Sequence, residues 1–175
     1  MNLTGKCLIA RPNVVDPYFK RSVVYIYEQT PRGIAGLILN KRNRKVSFNH
    51  IIAQRGFECP IEVPVYAGGP VNESAVVLLH SGNWRSSNTM MVSDQVSVTS
   101  DDMMIYKFVH GDVPDAYKFC NGASVWSPSQ MVNELHNNLW LVSELSVHQI
   151  FDYSGREQWD MAIETNAKDT IDRYI

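Results

Sequence analysis

The residues able to do chemistry in this chain are few and scattered. Its three cysteines, Cys7, Cys59 and Cys120, stand far apart with no C-x-x-C pair, and its five histidines, His50, His80, His110, His136 and His148, include no i, i+4 pair and no H-E-x-x-H. That pattern gives a zinc site or a disulfide framework no local ligand set and fits thiols kept reduced in a cytosol. No metal and no cofactor are expected. Gly122-Ala123-Ser124-Val125-Trp126 has the serine of a nucleophile elbow, but Trp126 replaces the glycine that lets such a turn close, and no motif places a histidine or an acid beside it. Ser124 therefore reads as an ordinary strand-end serine, and Cys120, with no cation beside it in sequence, as a core residue.

Gly68-Gly69-Pro70 is the most distinctive local motif. Consecutive glycines permit positive φ and can aim backbone N–H groups at an anion, but the same residues serve a tight turn that only glycine tolerates, and the turn is the preferred reading. Neither G-x-G-x-x-G nor G-x-x-x-x-G-K-[ST] occurs, so nucleotide binding lacks its usual apparatus. His80 ends an apolar run shortly after this turn and reads first as a hydrogen-bonded structural imidazole. Lys41-Arg42-Asn43-Arg44-Lys45 puts four cations in five residues. With no interleaved aromatics, it reads as a solvated turn.

On a helix starting at Pro128, Gln130, Glu134 and Asn138 recur every fourth residue and share one face, a polar stripe beside an apolar one. With Trp126 just ahead of it, this stripe is the strongest candidate for a binding surface. Gly68, Gly69, Pro70, His80, Trp126, Gln130, Glu134 and Asn138 are together expected to converge on one depression. Replacing the exposed Gln130 and Glu134 by alanine is then expected to change stability by no more than about 0.5 kcal/mol. An enzyme built on His80, Glu134 or Cys120 would need two of them within hydrogen-bond reach in one pocket. A scaffold or host-interaction module would need an exposed apolar patch of more than a few hundred Å2.

The elements that must position these residues read as one domain, residues 1–175, with 45% hydrophobic residues and a formal charge of −2. So small a net charge gives no long-range attraction to nucleic acid or anionic lipid. The amino terminus lacks a signal-peptide design, and the apolar runs are far shorter than the roughly 20 residues a bilayer span needs. A cytoplasmic protein with no membrane partner is expected.

Strands are predicted over Val23–Tyr27 and Gly36–Asn40, joined through the Thr30–Gly33 turn residues, and over Val63–Ala67, Ala75–His80 and Gln95–Thr99. A helix over Ser47–Gly56 has Ser47 as N-cap, Gly56 as C′ and Phe48, Ile51 and Ile52 as its buried stripe. Further helices run from a Thr99 or Ser100 cap through Phe108, from Pro128 to about Asn138 with Met131, Leu135 and Asn138–Leu139 inward, and from Arg156 to Ala167 with Trp159, Ala162 and Ile163 in helical phase. Strands and helices without regular βαβ alternation make this a mixed α/β or α+β domain.

Leu3-Thr4-Gly5, Leu8-Ile9-Ala10-Arg11-Pro12, Asp16-Pro17-Tyr18-Phe19-Lys20-Arg21-Ser22-Val23-Val24-Tyr25, Gly36-Leu37-Ile38-Leu39-Asn40, Val65-Tyr66-Ala67-Gly68-Gly69-Pro70-Val71, Leu79-His80 and Trp126-Ser127-Pro128-Ser129-Gln130, leading to Glu134, Asn138 and Trp140-Leu141, come in this order across nearly the whole chain. In them the sequence resembles the AlgH/YqgE family of small bacterial proteins. The resemblance implies a curved, partly barrel-like mixed sheet surrounded by helices, and a regulatory, transcription-related role exercised through a protein or small-molecule partner. It implies no particular reaction. No DNA-reading helix is encoded. The chain departs from the family pattern at Ala123, Val125, Ser129 and Val132.

Overall fold

The computed structural model describes residues 1–175. Nine strands and five helices follow one another as β1 (Cys7–Ala10), β2 (Val23–Thr30), β3 (Gly33–Ile38), α1 (Phe48–Ala53), β4 (Val65–Ala67), β5 (Val71–Ser81), β6 (Met90–Met91), β7 (Val96–Thr99), α2 (Asp102–Val109), β8 (Tyr117–Trp126), α3 (Pro128–His136), β9 (Trp140–Ser143), α4 (Val147–Phe151) and α5 (Gly155–Asp172). One mixed sheet has the order β6-β7-β5-β8-β3-β2-β1-β9, with β4 lying parallel against β8 beside that path. β2 and β3 form the predicted hairpin, closing at Thr30 opposite Gly33. The α+β class read from sequence holds.

Side-chain alternation along the strands sorts the core into three clusters. One face gathers Cys7 and Ile9 of β1, Val23 and Tyr25 of β2, Leu37 of β3, Leu79 of β5, Cys120 of β8, and Val96 and Val98 of β7. β7 and β1 are five strand steps apart in the sheet, about 24 Å if it were flat, yet they line one shared interior. The sheet therefore curls. Ile150 of α4 with Trp159 and Ala162 of α5 fill the hollow. The outer face divides: α1 and α2 cover Val76, Leu78 and Phe119, while α3 covers Leu8, Val24, Ile26, Ile34 and Ile38.

The helix ends are mostly set by local sequence. Ser47 caps α1 by accepting from the His50 N–H, and Gly56, at φ 79°, closes it while the Phe57 N–H bonds the Ile52 carbonyl. α2 departs from expectation. Its N-cap is Asp101, whose carboxylate accepts from the Met104 N–H; Thr99 remains in β7 and the Ser100 hydroxyl donates to the Val76 carbonyl. An aspartate competes well for a cap because its charge also meets the helix dipole.

β8 organises the sheet, and of it the sequence marks only the strand end at Ser124. Its first half pairs with β5 and β4, its end with β3, and between them Gly122 bends the chain at φ +71°. Gly68 and Gly69 lie against that bend. A Cβ on Gly68 would stand 2.4 Å from the Gly122 carbonyl oxygen, one on Gly69 2.2 Å from the Ala123 carbonyl carbon, and one on Gly122 2.4 Å from the Gly69 carbonyl oxygen. These contacts are backbone on backbone, so no rotamer change relieves them. Gly122→Ala combines a steric clash with a disfavoured φ and is expected to cost at least about 3 kcal/mol in urea unfolding. Gly56→Ala, with equally positive φ but open space around it, should cost clearly less.

Candidate functional site

The predicted polar helix is present, and one residue of its polar face, the half-buried Glu134, is tied to the core while Gln130 stays exposed. Ser127 caps α3 through the Gln130 N–H at 3.1 Å, Pro128 opens it, and Met131 is buried beneath it. Trp126 ends β8 and Trp140 begins β9, and both indole N–H groups donate to Oε2 of Glu134, at 3.0 and 2.7 Å. Gln130 Nε2 donates to the other carboxylate oxygen at 3.0 Å. The two indoles meet edge-on at 6.0 Å between centroids, with Phe19 at 5.6 Å from each. Glu134 thus satisfies two buried donors that would otherwise be orphaned.

Asn138 does not extend the stripe. α3 stops at His136, and Asn138, exposed at φ 54°, is the left-handed residue that lets the Leu139 N–H return to the Glu134 carbonyl.

The other expected members lie elsewhere. Gly68 and Gly69 are buried and their backbone serves the sheet: the Gly68 N–H donates to the Asn121 carbonyl, while the Gly68 carbonyl accepts from the Ile38 N–H and the Ser124 hydroxyl. Only Pro70 of that motif is exposed. His80 pairs with Tyr117 at the opposite end of β8 from Trp126, nine residues and up to about 30 Å along the strand. The expected convergence on one depression fails for His80, because register along β8, not nearness in sequence, sets its place.

His80 is fully enclosed, edge-on to Trp84 at 5.0 Å. Its Nδ1 faces the Ser81 carbonyl at 2.9 Å, which can only accept, so that nitrogen carries the proton. Nε2 then accepts from the Thr99 hydroxyl at 2.8 Å, which in turn accepts from Thr89 at 2.7 Å. Burial pushes the imidazole pKa down, which suits this neutral tautomer.

Cys120 lies in the inner cluster, and burial pushes its thiol up to about 12. His80 packs into the outer cluster under α1 and α2, Cys120 faces the interior, and Glu134 meets the outer cluster under α3. They point into separate parts of the core and assemble no common site. No group of three His, Cys, Asp or Glu side chains is placed to hold a metal ion.

Lys118 was not singled out from sequence. It shares the inward parity of Cys120, and its ammonium, buried inside the curl, donates to the Leu39 carbonyl at 3.0 Å, the Tyr153 carbonyl at 2.5 Å and Gln158 Oε1 at 3.0 Å, with the Tyr66 ring 4.7 Å away. Desolvation lowers its pKa to about 8, against the opposing influence of Cys120, Cys7 and Asp152. A lysine between Tyr117 and Phe119 in a strand-like run was the available signal. Arg42 and Arg44 of the basic turn are exposed, as a solvated turn requires, but they also border two adjoining depressions of about 400 and 460 Å3.

The family model described as AlgH-like matches residues 7–170. A UPF0301 protein of Vibrio parahaemolyticus is 34% identical over 173 residues, covering 94% of this chain and 91% of its own length. One from Rhodospirillum rubrum is 28% identical, covering 92% and 85%. The solution structure of the AlgH protein from Pseudomonas aeruginosa superposes with a TM-score of 0.81 at 23% identity, over 93% of this chain and 88% of that one. Protein DIP2367 from Corynebacterium diphtheriae gives 0.74 at 20%, over 93% and 86%. These superpositions match the curled sheet and its helices.

The Glu134 node overturns the expectation that both polar residues are dispensable. Glu134→Ala leaves two indole N–H groups without an acceptor and is expected to cost about 2–4 kcal/mol, while Gln130→Ala should stay within about 0.5 kcal/mol, both by chemical denaturation.

Lys118 has a depressed folded pKa, so its stability contribution is fully present above the unfolded value of about 10.4 and is lost as pH falls through about 8. Cys7 and Cys120, held up at about 12, oppose this trend, because unfolded thiols ionise from about pH 8.5. Lysine's share is therefore read as a difference. Between pH 7.5 and 10 the stability of wild type relative to Lys118→Met should rise by an amount on the order of 2 kcal/mol.

Proposed function

Since the chain belongs to the AlgH-like family, we propose that it is a non-enzymatic cytoplasmic binding protein with a regulatory, transcription-related role, exercised through a protein partner at the exposed face of α3. The observation that carries this reading is the Trp126–Glu134–Trp140 node. Two indole donors fix the carboxylate, the carboxylate fixes Gln130, and the polar face is set before any partner arrives. A preorganised surface loses little side-chain entropy on binding. Val125, at the end of β8, and Val132, on α3, are both exposed, and both are positions where the chain departs from the family pattern, which supports a partner choice of its own.

A non-enzymatic role is supported by the dispersal of His80, Cys120 and Glu134 into separate clusters, and by the hydrogen-bond partners that occupy the imidazole and the carboxylate. Action through a partner instead of on DNA is supported by charge. α3 carries no lysine or arginine, and on α5 Arg156 and Lys168 are each paired with an acid one turn away. No helix is long and apolar enough to cross a membrane.

Val132→Glu combined with Gln130→Ala, both exposed changes, should leave the thermal midpoint nearly unchanged while abolishing capture of a specific partner from native lysate. A gel shift at physiological salt should show no sequence-selective complex. Partner capture that survives the double change, or tight selective DNA binding, would overturn this reading.

A further inference from the structure

β1 and β2 are antiparallel neighbours that a tight turn of about two to five residues could join, yet twelve residues, 11–22, pass between them. They form only turns. The segment crosses the outer face of the sheet and sets the Phe19 ring 5.6 Å from Trp126 and 5.6 Å from Trp140. We propose that it is a lid, hinged at Arg11 and Arg21, which opens as one piece and bares the two indole faces while the sheet stays folded.

Its construction separates it from what it covers. The Val14 N–H bonds the Arg11 carbonyl, the Phe19 and Lys20 N–H groups bond the Asp16 carbonyl, and the Tyr18 N–H bonds Asp16 Oδ1, so its internal hydrogen bonds close on the segment itself. They can travel with it. Between Pro12 and Lys20, only two side chains from elsewhere hold it by hydrogen bonds. Lys41 Nζ donates to the Pro17 carbonyl at 3.3 Å and the Tyr18 carbonyl at 2.6 Å, and Glu73 Oε1 accepts from the Tyr18 hydroxyl at 2.7 Å. None of the bonds that fix Trp126, Trp140 and Glu134 involves the segment. Apart from Val14 and Phe19, every residue from Pro12 to Arg21 is exposed.

Closure carries penalties, and they sit at the hinges. Of the buried side-chain nitrogen and oxygen atoms of the chain, two have no hydrogen-bond partner, Arg11 Nε and Ser22 Oγ, one at each end of the segment. Lifting the segment lets water reach both and removes that penalty. Arg21 adds a φ of 54° at the join to β2, an unfavourable conformation for a residue with a side chain. Burial lowers the Lys41 pKa against the opposing influence of Asp16, so the stronger tether is itself partly desolvated. Against these costs stand Val14 and one half-buried aromatic ring, which places the segment among the parts of the fold that open locally. Opening adds two indole faces to the surface next to α3. Their use by a partner rests on the reading of α3 given above; the opening itself does not.

The test is relaxation-dispersion NMR of the intact, nitrogen-labelled protein, whose four tryptophans give four separate indole N–H signals. One shared exchange process is expected for the amides of residues 15–21 and the indoles of Trp126 and Trp140, with none at the Trp84 indole in the cluster under α1 and α2. Tyr18→Phe, an exposed change that cuts the Glu73 tether, should raise the open population about threefold or more with the thermal midpoint nearly unchanged. Ser22→Ala removes an orphaned hydroxyl from the closed form and should lower that population by about threefold or more. No partner and no residue of α3 enters the experiment, so its result is independent of partner capture. Absence of shared exchange in both wild type and Tyr18→Phe, exchange that includes Trp84, or an open population that Ser22→Ala leaves unmoved or raises would overturn the lid.

Discussion

Everything in this molecule turns on one close approach of backbone to backbone, where Gly68 and Gly69 press against the bend of β8 at Gly122. It lets one strand serve β4 and β5 along its first half and β3 along its end. It also changes the phase of the strand. Before the bend Cys120 faces the interior; after it Trp126, an even number of residues further on, faces the outer cluster under α3. An unbroken strand would send both side chains to the same face. The meeting of Trp126 with Glu134 thus depends on three residues without side chains.

Two ionisable groups then fasten helices to this sheet from its two sides. Lys118, inside the curl, gathers carbonyls from the end of the β3 region and from the α4–α5 link, together with Gln158 of α5. Glu134, on the outside, gathers the indoles that end β8 and open β9. Each is costly to desolvate, and each is well satisfied where it lies, so their main effect is to permit one arrangement and penalise others. The polar residues nearest to chemistry in character are therefore spent on architecture. What remains at the surface is the exposed face of α3, held by one of these groups, and the start of α5, held by the other.

Much of the fold was legible. The β2–β3 hairpin, α1 with Ser47 and Gly56, the proline-led start of α3 and the inward Trp159 and Ala162 of α5 all follow from patterns within a few residues of each other. Most of β8 was missed because Lys118, Asn121 and Gly122 break its apolar alternation, and each is explained only by contacts with distant segments. β1, β9 and α4 were missed for a simpler reason, being four or five residues long. Of the candidate site, Trp126, Gln130 and Glu134 do come together, since α3 and the end of β8 are adjacent in the chain, whereas His80 and the glycine pair do not join them.

By itself, then, the sequence determined the family, the single mixed domain and most of the helix starts and stops, because periodicity, capping and positive φ are settled by near neighbours. Only the tertiary structure decided which polar groups are free. Lys118 finds its acceptors 35 to 79 residues away, and Asn40 reaches Gly155 across 115. A hydrogen bond over such a separation depends on strand order and register, which follow from how the whole sheet closes over its interior and leave no mark on any short stretch of the chain.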